Sequence, residues 1–127
     1  MRVQDVCVLI EHDGRWLMVK HAEGRLWRGL WGFPRVRVQD GEALELAARR
    51  AAETVGVQVH HCEPAVTIRH GLMHYSVTLH AMRCLLQERV VTDDETVCWV
   101  LPEEARALPL PSPVRRIVER FLQARKG

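Results

Sequence analysis

Long apolar runs are missing from this 127-residue chain, and with them any segment able to span a bilayer. No apolar N-terminal stretch leads to a small-residue cleavage site, so the sequence predicts no secretory leader, no membrane partner and a cytoplasmic location. Paired cysteines are missing too. Cys7, Cys62, Cys84 and Cys98 are scattered and none forms a C-x-x-C pair, which argues against a zinc or disulfide framework. Three of them stand in strand-like apolar surroundings and read as reduced, buried thiols. Internal repeats and low-complexity segments are absent. A net charge of +2 is too small to demand a nucleic-acid partner and does not oppose one. What remains is the composition of one globular domain, residues 1–127, with 47% hydrophobic and 27% charged residues.

Strand-like and helix-like segments alternate without a linker. Val3–Glu11 is apolar with a polar end, and Arg15–Lys20 is its predicted hairpin partner across His12-Asp13-Gly14. Leu26–Pro34, rich in Gly and Trp, reads as a loop leading to a short strand at Val36–Val38. Asp40 is placed to cap a helix beginning near Glu42, with Glu42 and Glu45 at its positive end. Leu44, Ala47, Ala48, Ala51, Ala52 and Val55 give that helix an apolar face, and Gly56 suits its C-terminal stop. Its alanines predict close packing on a sheet. Val57–Arg69 and His74–Leu86 read as strands joined by a turn at His70–Met73. Thr96–Leu101 is a further strand and Pro102–Arg106 a helical turn. A last amphipathic helix, Val114–Arg125, has Ser112 as its N-cap, Pro113 at its first position and Val114, Ile117, Val118, Phe121 and Leu122 as its buried stripe.

Two segments carry most of the functional information. Residues 26–34 read LWRGLWGFP, and residues 41–57 read GEALELAARRAAETVGV. Together they resemble the layout of a Nudix domain, which implies an α/β fold, an α/β/α sandwich with a mixed sheet. The helical part of a Nudix box reads R-E-(apolar)-x-E-E-x-G-(apolar), and its carboxylates hold Mg²⁺ against a diphosphate because hard cations need several oxygen ligands. Counting back from Gly56-Val57 puts Arg49 at the arginine position, Glu53 at one acid position, and Arg50 and Thr54 at the other two. Counting forward from Gly41-Glu42 shifts the register by one and puts Ala51, Thr54 and Val55 at the acids. Either count leaves at most one carboxylate. The bland reading of Glu53 is an ion pair with Arg49 or Arg50 on the helix surface.

Further motifs sharpen the resemblance. LWRGLWGFP, the run Arg69-His70-Gly71-Leu72-Met73-His74-Tyr75, Trp99-Val100-Leu101, and Leu108–Pro113 followed by Val114-Arg115-Arg116-Ile117 occur in order. Together they resemble the C-terminal domain of the MutY adenine DNA glycosylase family over roughly Val3 to Leu122. In that family the domain is a degenerate Nudix fold that recognises 8-oxoguanine opposite adenine. The resemblance implies DNA containing 8-oxoguanine, or an oxidised purine nucleotide, as ligand, and a separate adenine glycosylase as candidate partner. The cysteines lack the clustered spacing of the family's iron–sulfur domain, so no glycosidic cleavage is expected. The family's Phe-Ser-His turn falls on Leu72, Met73 and His74: the histidine is kept and the serine is lost. The lesion- or DNA-facing candidates are therefore His70, Leu72, Met73, His74, Arg69, Trp31 and Arg28. Their bland alternatives are turn and core packing. His70 reads as a brace for the turn, and His60-His61 should point to opposite faces of a strand. The arginines Arg25, Arg28, Arg35, Arg37, Arg69, Arg115 and Arg116 make a DNA-facing patch only if they converge.

Trp27, Trp31 and Trp99 read as core for at least one of the three. Leu101 stands where nucleotide-cleaning relatives have an acid near the late strand. The favoured reading is a binding module that does not hydrolyse and needs no cofactor. The alternatives are a Nudix pyrophosphatase with a reassigned Mg²⁺ site, using Glu53 as catalytic residue with Glu42, Glu45 or Asp93–Glu95, and a protein-interaction module.

Overall fold

Strand β1, Arg2–His12, is apolar on both faces, and this decides the architecture. Cys7 and Leu9 enter one buried cluster; Val6, Val8 and Ile10 enter another. Such a strand needs a covering layer on each side. The computed structural model describes residues 2–21, 29–72, 74–88 and 96–126 and supplies both layers. Helix α1 (Leu44–Glu53) covers one face; α2 (Pro102–Ala107) and α3 (Ser112–Lys126) cover the other. The remaining strands are β2 (Arg15–Lys20), β3 (Trp31–Gly32), β4 (Arg35–Arg37), β5 (Gln58–Leu72), β6 (Tyr75–Glu88) and β7 (Val97–Val100). Among the described residues the seven strands form one sheet in the order β3-β2-β1-β6-β5, with β4 on β1 and β7 on β2. β1 runs parallel to β6 and antiparallel to β2 and β4, so the sheet is mixed, as expected.

The alanines of α1 explain how it packs. Ala47, Ala48, Ala51 and Ala52 are fully buried, and their small side chains bring the helix backbone close to β1 and β5. The helix ends at Glu53, and the chain turns away at Gly56, whose φ of +74° suits glycine. There Val57 N–H donates to Ala52 O at 3.2 Å and Gly56 N–H to Glu53 O at 3.0 Å, closing the helix end. Its start departs from expectation. The first helical residue is Leu44, and Ala43 stands at the cap with no side-chain bond. Asp40 does not cap, and Glu42 lies ahead of the helix, where its Oε1 accepts the Gln39 N–H at 3.0 Å.

On the other face α3 buries Val114, Ile117, Val118, Phe121 and Leu122 as predicted. Phe121 meets Trp16 and Phe33 edge-on at 6.0 and 6.1 Å. The helix begins at Ser112, which is inside it and not its cap, and Pro111 O accepts the Arg115 N–H.

The hairpin between β5 and β6 is tighter than predicted. His70, Gly71 and Leu72 pair with Val77, Ser76 and Tyr75, so they belong to β5, which ends at Leu72 with β6 beginning at Tyr75. Inward-facing alternation continues through Ile68 to His70, which keeps the ladder going. A second difference is at His60-His61. The register slips between His60 and Glu63, His61 has φ +48°, and the two rings lie 4.7 Å apart. The bulge cancels the strand alternation that would have separated them. The predicted strand Val36–Val38 forms as Arg35–Arg37, and the loop before it contains β3. No helix among the described residues is long and apolar enough to cross a membrane.

Candidate functional site

The box helix is the first place to look for chemistry. Arg50 donates from Nε to Glu42 Oε2 and from Nη2 to Oε1, both at 2.8 Å, and from Nη2 to the Arg37 carbonyl at 2.7 Å. These bonds, with the Gln39 N–H, hold the Glu42 carboxyl down at about 2. Arg50 thus ties the chain entering α1 to the helix itself. Such a structural arginine suits the arginine position of the forward count, in which no acid position holds an acid. Arg49 pairs with Glu45 at 3.0 Å on the exposed surface. The expected ion pair of Glu53 with Arg49 or Arg50 is therefore replaced: both guanidinia bind other carboxylates, and Glu53 stands exposed near Arg50. Glu42, Glu45 and Glu53 do not converge, and among the described residues no three His, Cys, Asp or Glu side chains could hold a metal ion together. These residues do not fit a Mg²⁺ site, which needs several oxygens around one point. Asp93–Glu95 lie outside the described residues.

The densest polar cluster is elsewhere, and sequence reasoning missed it. Asp5 is the one acid inside the apolar stretch of β1 and is 5% exposed. β4 pairs with β1 so that Arg35 and Arg37 flank it. Arg35 donates to Asp5 Oδ2 from Nε at 2.8 Å and from Nη2 at 2.7 Å, while Arg37 Nε reaches Oδ1. The same Arg35 Nη2 lies 3.3 Å from His70 Nε2. Burial, then the Arg35 charge, lowers the His70 pKa, so the ring is neutral and accepts from the guanidinium. His70 therefore braces the base of the β5–β6 hairpin against β4, not the turn itself. His21 is lowered by the same two causes. Arg37 also lies over the Tyr75 ring, 5.9 Å from its centroid. The signal for this cluster was a lone acid in an apolar strand, since a buried charge requires a partner.

The other candidates separate. His74 and Arg69 are exposed, His74 in the connection and Arg69 on β5. Trp31 is partly buried against the α3-side core, and its backbone N–H donates to Pro109 O at 2.8 Å. Trp99 is core, 7% exposed. Leu72 ends β5, and its side chain, with Met73, Arg25, Trp27 and Arg28, lies outside the described residues. Among the predicted arginines, Arg35 and Arg37 are committed to Asp5, whereas Arg115 and Arg116 share a surface groove with Arg69. The four cysteines are free thiols. Cys7 is pushed up to about 12 and Cys84 is also raised, chiefly by burial, so neither is a nucleophile at neutral pH.

A family model described as a NUDIX domain matches residues 5–120, and the chain belongs to the Nudix family. It is also similar to the adenine DNA glycosylase of Buchnera aphidicola subsp. Acyrthosiphon pisum (strain APS). The two are 20% identical over 118 residues, which is 90% of this chain and 31% of that protein. The chain thus spans about a third of that relative's length. Among solved structures, the MutT Nudix hydrolase from Burkholderia pseudomallei superposes with a TM-score of 0.78 at 21% identity, covering 94% of this chain and 98% of that one. The Nudix domain of Shewanella oneidensis NrtR, complexed with ADP ribose, superposes with a TM-score of 0.74 at 18% identity, covering 98% and 87%. At these identities the two structures establish the fold alone.

Proposed function

We propose that this chain is a non-hydrolysing Nudix module that binds DNA or purines carrying 8-oxoguanine and works beside a separate adenine glycosylase. The observation that carries the reading is the clamp of Arg50 on Glu42. It occupies one carboxylate a reassigned site would use, and with Arg50 at the arginine position the acid positions fall on Ala51, Thr54 and Val55, none of which is an acid. Without metal-bound charge stabilisation a diphosphate hydrolase loses several kcal/mol of catalysis. The likeness to an adenine DNA glycosylase supports the choice of lesion. The ADP ribose complex of a similar fold supports a nucleotide-sized ligand as the smaller form of it. Residues Leu72 to His74 are assigned to contact the lesion, with the family's apolar wedge supplied by Leu72 or Met73 and its serine lost. The likeness to a MutT hydrolase favours a second reading, pyrophosphate hydrolysis through Glu53.

Two measurements decide. A phosphate-release screen of nucleoside di- and triphosphates, 8-oxo-dGTP included, with Mg²⁺ and Mn²⁺ is expected to show no turnover. Robust turnover abolished by Glu53→Gln establishes the hydrolase instead. Fluorescence anisotropy is expected to show weak duplex binding, modestly tighter with 8-oxoguanine opposite adenine. Met73→Ser should raise that preference by about 0.5–1.5 kcal/mol, one hydrogen bond, and Leu72→Ala should reduce it. If neither substitution moves the preference, the hairpin does not read the lesion. If there is neither turnover nor DNA binding, a protein-interaction module is the remaining role.

A further inference from the structure

A groove of about 410 Å³ separates the edge strand β5 from α3. Ser112, Arg115, Arg116, Glu119, Arg120 and Gln123 line it from the helix, facing residues 67–69 of the strand. Its single acid is already neutralised: Arg106 grips Glu119 with Nε and Nη2, each at 3.0 Å. Arg115, Arg116 and Arg120 are exposed, and none has a carboxylate partner among the described residues. Carbonyl oxygens hold two of them. Arg115 donates to Arg106 O at 3.1 Å and Leu108 O at 3.3 Å; Arg116 donates to Arg69 O at 3.2 Å. A carbonyl fixes a guanidinium without cancelling its charge, and a fixed guanidinium loses less side-chain entropy when an anion arrives.

The form of the groove selects among anions. It is an open trough, and no aromatic side chain lines it, so it has nothing to enclose a base. Its charges repeat along a line, Arg116 and Arg120 being one helical turn or about 6 Å apart. β5 then runs from Ile68 to its end at Leu72, about 13 Å, directly into the hairpin connection.

We propose that this groove seats the phosphodiester backbone of a nucleic-acid strand and sets its register against the β5–β6 hairpin. The assignment deepens the preceding one and rests on DNA being the ligand. Phosphate contacts position a strand, while base contacts specify it, so the two sites should separate experimentally.

The test is duplex binding by anisotropy across salt concentrations for the full chain. The variants are Arg116→Gln/Arg120→Gln, Arg120→Gln alone, and Arg49→Gln as a charge-matched control on α1. Each backbone contact adds close to one to the slope of log affinity against log salt. The double variant should lower that slope by about 2, and Arg120→Gln alone by about 1. Both should weaken lesion and undamaged duplexes equally, and Arg49→Gln should leave the slope alone. Arg116 also bonds β5, so circular dichroism must show the double variant folded; if it is not, Arg120→Gln decides. An unchanged slope with binding intact overturns the groove and spares the lesion reading. A changed preference at unchanged slope moves these arginines to base reading and also overturns it. If inorganic pyrophosphate alone shifts the arginine side-chain NMR signals and displaces no DNA, the groove is a small-anion site. If the wild type binds no duplex at low salt, both proposals fall.

Discussion

At the scale of residues, the most exacting arrangement is Asp5 between Arg35 and Arg37. Asp5 and Arg35 have side chains only 7% and 12% exposed, so neither charge is left to water. Removing one partner strands the other. Asp5→Asn should therefore destabilise the fold by about 3–5 kcal/mol, whereas Asp5→Asn with Arg35→Met should recover much of the loss. Urea unfolding of the single and double variants measures the coupling; strict additivity would mean the contact contributes no pairing energy. The sequence made part of this legible. The loss of acids along the box helix could be counted in either register. The pairing of Arg50 with Glu42, eight residues apart and across a turn, could not, because spacing names no partner once the chain leaves the helix. The arginines flanking the family motifs looked alike in the sequence. Only strand pairing shows that Arg35 and Arg37 are spent on a buried acid while Arg115 and Arg116 remain on the surface.

At the scale of elements, α1 carries a sharp contrast between neighbouring positions. Ala48 is fully buried against the sheet, and Leu46, two residues earlier, is 56% exposed. Ala48→Leu has to push the helix away from β1 and should cost about 1–3 kcal/mol. Leu46→Ala should stay within about 0.5 kcal/mol. Denaturant unfolding compares them, and similar costs at both sites would show that the alanine face does not set the helix–sheet distance. The alanine spacing announced that face, as the stripe from Val114 to Leu122 announced α3, since periodicity reports burial directly. Element ends were less legible. A carboxylate at Glu42 resembles a first-turn helix residue until Arg50 claims it. A histidine and glycine at 70–71 resemble a turn until pairing with Val77 and Ser76 carries the strand past them. In both cases a long-range partner overrode a local signal.

At the scale of the whole molecule, acidification should act in two separate windows. His21, His70 and His80 have pKa values below the ordinary histidine value, with burial the largest cause in each. The unfolded chain takes up protons on these rings near pH 6.5, about the free value, where the folded chain resists them. Stability therefore begins to fall as pH drops through about 6.5 and is lost progressively down to the lowered folded values. Glu42 acts lower. Its carboxylate is held at about 2 by Arg50 and the Gln39 N–H. Its contribution is fully present above the unfolded value of about 4.3 and is lost as pH falls from there toward 2. The two windows add in sign and differ in position. Thermal melts from pH 8 to pH 2 should show a first decline that His70→Gln makes shallower and a second that Glu42→Gln makes shallower, neither substitution affecting the other's window. DNA affinity measured over the same range adds an independent reading. His70 is held neutral by burial and by Arg35, so binding should persist until the first decline and then fail with it, because protonating His70 against Arg35 loosens the base of the hairpin. Binding that strengthens as pH falls from 7 to 5, while the melt declines, would instead make His70 a direct phosphate contact and remove it from its bracing role.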